Sequence, residues 1–337
     1  MDGAISPARE SGAVGRLLDL AAADLAAVDE VIAGRMQSKV PLIPALAEHL
    51  IGAGGKRLRP LLTVATARMC GVSSDHHVKL AAAVEFIHTA TLLHDDVVDG
   101  SELRRGRVAA NLIWGAPPSV LVGDYLFARA FGLMVETRNL KALDVLARAA
   151  SVIAEGEVLQ LTRSNDLALD QATYLEIITA KTAELFAAAA EGGGIAAEAS
   201  DTETEALRRF GLNFGLAFQV IDDVLDLRER GVDLGKPTGQ DLRQGNVTLP
   251  TMLYAAGLRP GSPEAERLRA IVAGDLDDQT AIDAVAADIR ASGAIDAAID
   301  VAASYVEQAK RCVASVPSME TRELLEELAD FALTRSS

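Results

Sequence analysis

The feature that most constrains this chain is a helical period running from one end to the other, with almost no apolar alternation of the strand type. Leu17, Leu18, Leu20, Leu25 and Val28 recur at helical spacing near the start, as do Leu324, Leu325, Leu328 and Phe331 near the end. The fill between them is rich in alanine. Breaks fall at Gly52 to Gly55, Gly71, Gly115 to Pro118, Gly192 to Gly194, Gly231 to Pro237 and Gly257 to Pro263. They leave roughly ten blocks of about 12 to 25 residues, the length of packed helices. The fold class expected is therefore all-α: one large helical domain over residues 13–337, after a disordered N-terminus over 1–12. The stretch from Gly257 to Thr280 reads as a polar connection with a short helix at most. Half of the residues are apolar but only 4% are aromatic, so the core has to be built from Ala, Leu, Val and Ile.

Charge narrows the partners. The 48 acidic and 32 basic side chains give a net charge of −16, against a nucleic-acid partner and against an anionic membrane surface as the main one. Cys70 and Cys312 have no metal-ligand spacing and fit reduced thiols. The opening residues lack a basic start followed by an apolar block, so no signal peptide is read. The longest uncharged run, Val108 to Gly123, is short of a membrane span and contains Pro117 and Pro118. A soluble, cytoplasmic protein is the expectation.

Two acidic clusters interrupt otherwise apolar helices. Asp95, Asp96 and Asp99 form a DDxxD pattern within Glu85 to Asp99, and Asp222, Asp223 and Asp226 repeat it within Phe218 to Asp226. In each, the first and last carboxylates are i and i+4, on one helix face and about 6 Å apart along the axis. Like charges so placed destabilise a helix, more so among Val, Leu and Ile, and something must compensate. Hard carboxylate oxygens of this kind suit Mg2+, which is held by a few carboxylates together with substrate phosphates. A di-iron bundle would need two ExxH helices. Glu85 and His88 form one, and no second exists.

Cations are distributed around these clusters. Lys56 and Arg59 share a face at a helix start, where an anion between them would also meet free N–H groups. Arg104 and Arg105 follow the first cluster, Lys181 and Thr182 lie in an apolar block, and Lys236 follows the second cluster. Six aspartates balance about three Mg2+, and the six basic residues are left for about two diphosphate groups.

With these pieces in hand, the chain resembles the trans-polyprenyl diphosphate synthase family from about Ala45 to Phe331. The resemblance is carried by GGKRLRP at 54 to 60, HTATLLHDDVVD at 88 to 99, Arg104 and Arg105, Lys181 and Thr182, FQVIDDVLD at 218 to 226 and GKPTGQDL at 235 to 242. It implies helices around a central cavity, a homodimer, and head-to-tail condensation of an allylic diphosphate with isopentenyl diphosphate. It implies that Lys56, Arg59, His88 and Arg105 bind isopentenyl diphosphate. Asp95, Asp96 and Asp99 are implied as ligands of two Mg2+, and Asp222, Asp223 and Asp226 of a third. Arg104, Lys181, Thr182, Gln219 and Lys236 are implied as contacts to the allylic diphosphate or its cation. Asn246 is a departure, since many relatives carry Lys there.

Ala90 and Thr91 lie five and four residues before Asp95, about one turn below the ligands. In the family a bulky aromatic there resembles a floor that stops growth. Two small side chains favour a long product, and the adjoining segment 119–131 is similar to octa-, nona- and decaprenyl enzymes that serve quinone synthesis. A short-chain farnesyl or geranylgeranyl synthase and a non-catalytic regulatory subunit are the competing expectations. A long prenyl product leaves only into an apolar host, so peripheral membrane contact for release is expected.

Overall fold

A helix that is apolar on every side has to be surrounded, and the helix His76–Val98 is buried along its length by Leu80, Val84, Phe86, Ile87 and Leu93 on successive faces. The computed structural model describes residues 13–51, 57–104, 106–228, 238–314 and 319–335. In chain order it contains α1 (Ala13–Arg35), α2 (Leu42–Ile51), α3 (Leu58–Met69) and this central α4 (His76–Val98). A two-residue antiparallel pair, β1 (Leu103–Arg104) with β2 (Arg107–Val108), leads to α5 (Ala110–Trp114), α6 (Ala116–Glu136) and α7 (Leu140–Arg163). Then come α8 (Gln171–Ile178), a π-helical turn over Thr179–Ala183, α9 (Glu184–Ala196) and α10 (Asp201–Leu227). The remainder is α11 (Gln240–Arg243), α12 (Leu249–Gly257), α13 (Pro263–Val272), α14 (Gln279–Ala291), α15 (Ala294–Val313) and α16 (Met319–Thr334).

Around α4 pack α1, α3, α6 and α9, while α10 lies against α9 and α15. The buried apolar residues from Val14 to Ala332 form one connected core. The long helices begin where the sequence supplies acceptors. Ser200 and Glu203 close a reciprocal capping box on α10, and Asn139 and Asp170 accept from the first free N–H groups of α7 and α8. Small residues let the helices close in. Gly193 of α9 sits against Thr63 and Thr66 of α3, where a Cβ would collide with both.

Three expectations need adjustment. The aromatic residues are few but concentrated: Phe186, Phe210, Phe214 and Phe218 stack between α9 and α10, with Phe186 and Phe214 ring centres 5.1 Å apart. The stretch expected to be a polar connection holds α13, capped by Ser262 ahead of Pro263, and its Leu268, Ile271 and Val272 are core residues. And α6, at 21 residues, is long and apolar enough to cross a membrane by length and composition alone. Its Val122, Leu126, Ala130 and Leu133 enter the core, while Val120, Leu121, Phe131 and Val135 face outward. The expectation for residues 1–12 lies outside the described residues, as do Lys56, Arg105 and Lys236.

Candidate active site

Both acidic clusters occupy helix C-termini: α4 ends at Val98 with Asp99 as its C-cap, and α10 ends at Leu227. A helix C-terminus carries partial negative charge, so carboxylates there are doubly disfavoured until a cation arrives. The two ends meet at one cavity of about 820 Å³.

On the α4 side, Asp95 and Asp99 line the cavity and Asp96 does not. Burial, reinforced by neighbouring Glu157, pushes Asp95 up to about 7 against the pull of Lys181. Burial likewise raises Asp99. Asp96 is fully buried and turned to the hairpin, where its Oδ1 accepts from Arg104 Nε at 2.8 Å and also from Arg104 Nη2. Both partners of that pair were expected elsewhere, Asp96 on a metal and Arg104 on a diphosphate. The structure spends the Asp96 carboxylate on locking β1 to α4, with Arg104 at the cavity rim.

On the α10 side, Asp222 and Asp223 line the cavity and Asp226 does not. Asp222 pairs with Arg335, whose guanidinium also lies 3.6 Å from the Phe218 ring centre. Asp223 accepts from Tyr174 Oη at 2.6 Å and from Gln219 Nε2 at 2.8 Å. Burial raises Asp223, opposed by those two hydrogen bonds, and burial beside Asp223 raises the Tyr174 phenol well above its usual range. Asp226 accepts from the backbone N–H groups of Gln240 and Asp241 at 3.2 and 3.0 Å, and so caps α11 instead of facing the cavity.

Between the two sets stands the π-helical turn. Lys181 Nζ pairs with Glu157 at 2.8 Å, and Thr182 Oγ1 donates to Gln219 Oε1 at 2.7 Å. Arg59 and His88 face the same cavity from α3 and α4, with Arg59 Nη1 3.3 Å from His88 Nε2 and the guanidinium 4.2 Å from the Phe186 ring centre. Thr91 lines the cavity, whereas Ala90 is fully buried and lies outside its lining. Asn246 is on the rim, accepting from Gln160 Nε2 at 3.3 Å.

Sequence reasoning missed Glu157, Gln160, Tyr174, Asp241 and Arg335, all of which line the cavity. Asp241 had a signal, since it lies in the quoted GKPTGQDL segment; buried beside Asp226, Asp223 and Asp222, it is raised well above the carboxylate range. Arg335 had none, because its partner is 113 positions away.

Among the described residues no three His, Cys, Asp or Glu side chains converge closely enough to cage an ion by themselves. Two desolvated carboxylates on α4 and the partly exposed Asp222 on α10, all near helix C-termini, still fit a hard divalent ion that completes its shell with substrate oxygens.

A helical bundle that brings two carboxylate-bearing helix ends, several cations and a few apolar side chains to one cavity belongs to the class of proteins with a charged site suited to anionic substrates. The chain matches the polyprenyl synthetase family model over residues 40–289; it belongs to that family, and with it to the prenyl-transferring enzymes. It is 40% identical over 320 residues to the octaprenyl diphosphate synthase of Escherichia coli K12, covering 95% of this chain and 98% of that one. A crystal structure of a polyprenyl synthase from Caulobacter crescentus CB15, complexed with calcium and isoprenyl diphosphate, superposes with a TM-score of 0.93 at 59% identity. That match covers 98% of this chain and 100% of the other. The crystal structure of a decaprenyl diphosphate synthase from Rhodobacter capsulatus gives a TM-score of 0.90 at 44% identity, over 95% and 98% of the two chains.

Proposed function

We propose that the protein adds successive isopentenyl diphosphate units to an allylic diphosphate and releases a long-chain all-trans polyprenyl diphosphate, octaprenyl to decaprenyl. The observation that carries this reading is that Asp95, Asp99 and Asp222 share one cavity with Lys181, Arg59, His88 and the apolar surfaces of Leu92, Phe186 and Phe218. A leaving diphosphate and a hydrocarbon chain can therefore lie side by side.

Mg2+, about three ions in all, is the proposed cofactor; bound there it would supply positive charge to the diphosphate oxygens. Asp95 and Asp99 would hold it from α4 and Asp222 from α10, with Asp96, Asp223 and Asp226 orienting the elements that carry them. Lys181, with ammonium protons beyond its pair with Glu157, and Thr182, once its hydroxyl turns from Gln219, would donate to the departing diphosphate, where fixed charge contributes most as negative charge develops. Arg59 and His88 hold the second diphosphate so that its double bond faces the new cation. Phe186, Phe218 and Leu92 keep water from that cation. Lys56, Arg105 and Lys236 are assigned by resemblance to the same two diphosphates.

Long product length is supported by the small Thr91 on the cavity wall and Ala90 beside it. A role in making quinone side chains rests on that length. A homodimer is supported by the outward apolar residues Leu112, Ile113, Val120, Leu121, Phe131 and Val135 on α5 and α6, which a second copy would cover. A cytoplasmic enzyme touching the membrane only to hand over product agrees with the acidic exterior.

The test is to incubate pure protein with Mg2+, farnesyl diphosphate and labelled isopentenyl diphosphate and to size the products. Octaprenyl to decaprenyl chains support the proposal; a stop at farnesyl or geranylgeranyl length, or no condensation, overturns it. Replacing Thr91 with Phe should shorten the product with little change in Tm. Ala90→Tyr should shorten it at a cost in Tm, because that position is packed on all sides.

A further inference from the structure

A π-helical turn is rare and is found mostly as a single turn inside α-helices, frequently at functional sites. Here it carries Lys181 and Thr182, and it is gripped from two sides at glycines. On α7, a Cβ at Gly156 would stand 2.5 Å from Ala180 Cβ and 3.3 Å from the Lys181 backbone nitrogen. On α10, a Cβ at Gly215 would stand 2.6 Å from Ala183 Cα and 3.0 Å from Ala183 Cβ. Neither glycine has positive φ, so neither is required by its own backbone conformation. Glycine within a helix is less favourable than alanine, so the close approach is what both positions provide. Each glycine also sits beside the hydrogen-bond acceptor of one working side chain. Glu157, next to Gly156, accepts from Lys181, and Gln219, one turn beyond Gly215, accepts from Thr182.

We propose that Gly156 and Gly215 are positioning residues for prenyl transfer: they let α7 and α10 close on the π-helical turn and thereby set Lys181 and Thr182 at the cavity wall. The proposal rests on the reading of Lys181 and Thr182 as contacts to the allylic diphosphate. Carbon atoms in contact are about 3.5 to 4 Å apart, so a methyl group at either glycine must drive the turn outward by about 1 Å. Displacement of that size is enough to cost about a hundredfold in rate when it moves a catalytic group.

The experiment compares Gly156→Ala, Gly215→Ala, the paired Gly156→Ala with Ala180→Gly, and Lys181→Ala, reading kcat, KM for isopentenyl diphosphate and thermal unfolding for each. Gly156→Ala and Gly215→Ala should each lower kcat by about tenfold to a hundredfold. The KM for isopentenyl diphosphate should stay within about twofold, because Arg59 and His88 are carried by α3 and α4 and not by the displaced turn. The paired variant removes the methyl that Gly156→Ala strikes and should recover most of kcat. Gly215→Ala should not be rescued by Ala183→Gly, since the main chain is what it meets. Wild-type kcat in folded Gly156→Ala overturns the proposal, as does a folded paired variant that stays slow. So does a loss of kcat matched by an equal loss of folded protein at assay temperature. If Lys181→Ala keeps full activity, the substrate reading fails and the proposal with it. If Lys181→Ala is inactive while both glycine variants are normal, only the clamp is lost.

Discussion

The two aspartate motifs have the same spacing at the same end of their helices, yet they are held in different orientations. On α4 the i,i+4 pair, Asp95 and Asp99, faces the cavity and the middle residue Asp96 points away to Arg104. On α10 the adjacent pair, Asp222 and Asp223, lines the cavity and the last residue, Asp226, is taken up by backbone N–H groups of α11. The mean directions of the two facing pairs differ by only about 30° around the helix axis, so the contrast lies in what each helix end meets: the hairpin takes Asp96 and α11 takes Asp226. Identical motifs thus divide labour differently. Asp96 and Asp226 tie a hairpin and a short helix to the ends of α4 and α10, and Asp95, Asp99 and Asp222 line the cavity as the proposed cation ligands.

Removing one carboxylate from each role separates the two roles by their effect on turnover and on stability. Asp95→Ala and Asp222→Ala should each cut kcat by about a thousandfold, since charge developing on the leaving group then lacks its counter-ion. Steady-state turnover with an unchanged helical circular-dichroism spectrum checks this. Asp96→Ala should instead act on stability, at about 1 to 3 kcal/mol, because Arg104, about a quarter exposed, loses its charged hydrogen-bond partner; urea unfolding measures it. Normal stability together with lost turnover would move Asp96 into the metal site.

Both motifs also carry a carboxyl whose protonation couples to folding. Asp95 is raised from an ordinary 3.8 to about 7, and Asp223 is raised as well, so the metal-free folded protein holds protons that the unfolded chain releases. The stability this provides is complete below the unfolded value and is lost as pH rises through about 7. Chelator-treated protein should therefore melt at a lower temperature at pH 7.5 than at pH 5, and Mg2+ should narrow that gap. Asp95→Asn, neutral at every pH, should stabilise the chelated protein by about 1 to 3 kcal/mol at pH 7.5. A flat melting profile would remove the desolvated-carboxylate account.

Smaller effects separate the supports of the second motif. Tyr174→Phe leaves buried Asp223 with only Gln219 as donor and should cost about 1 to 3 kcal/mol. Arg335→Ala frees Asp222 from a partly exposed pair, and the Mg2+ concentration for half-maximal turnover should fall about threefold to fivefold. An increase would mean that Arg335 serves the substrate.

Much of the site was legible because its signals are local. The i,i+4 spacing, the adjacent Lys181 and Thr182, and Arg59 at the head of α3 are all read within one or two turns. What was not legible depends on distant pairing. Tyr174 meets Asp223 across 49 positions and Arg335 meets Asp222 across 113. The phenylalanine cluster and the buried face of α13 escaped notice for a related reason. Overall composition does not show where scarce side chains gather, though Ser262 followed by Pro263 is a helix start that could have been read.

By itself, the sequence determined that this chain is predominantly helical, that two of its helices carry carboxylates among apolar residues, and that cations of the right kind accompany them. Those are properties of period and spacing, which depend on neighbours along the chain. The tertiary structure alone decided which aspartates reach the cavity, which neutral donors hold Asp223, and how closely α7 and α10 approach the turn bearing Lys181 and Thr182. The 3.6-residue period places Asp96 about 100° around the helix from Asp95, but which of the two faces the cavity is set by the packing of α4 against its neighbours.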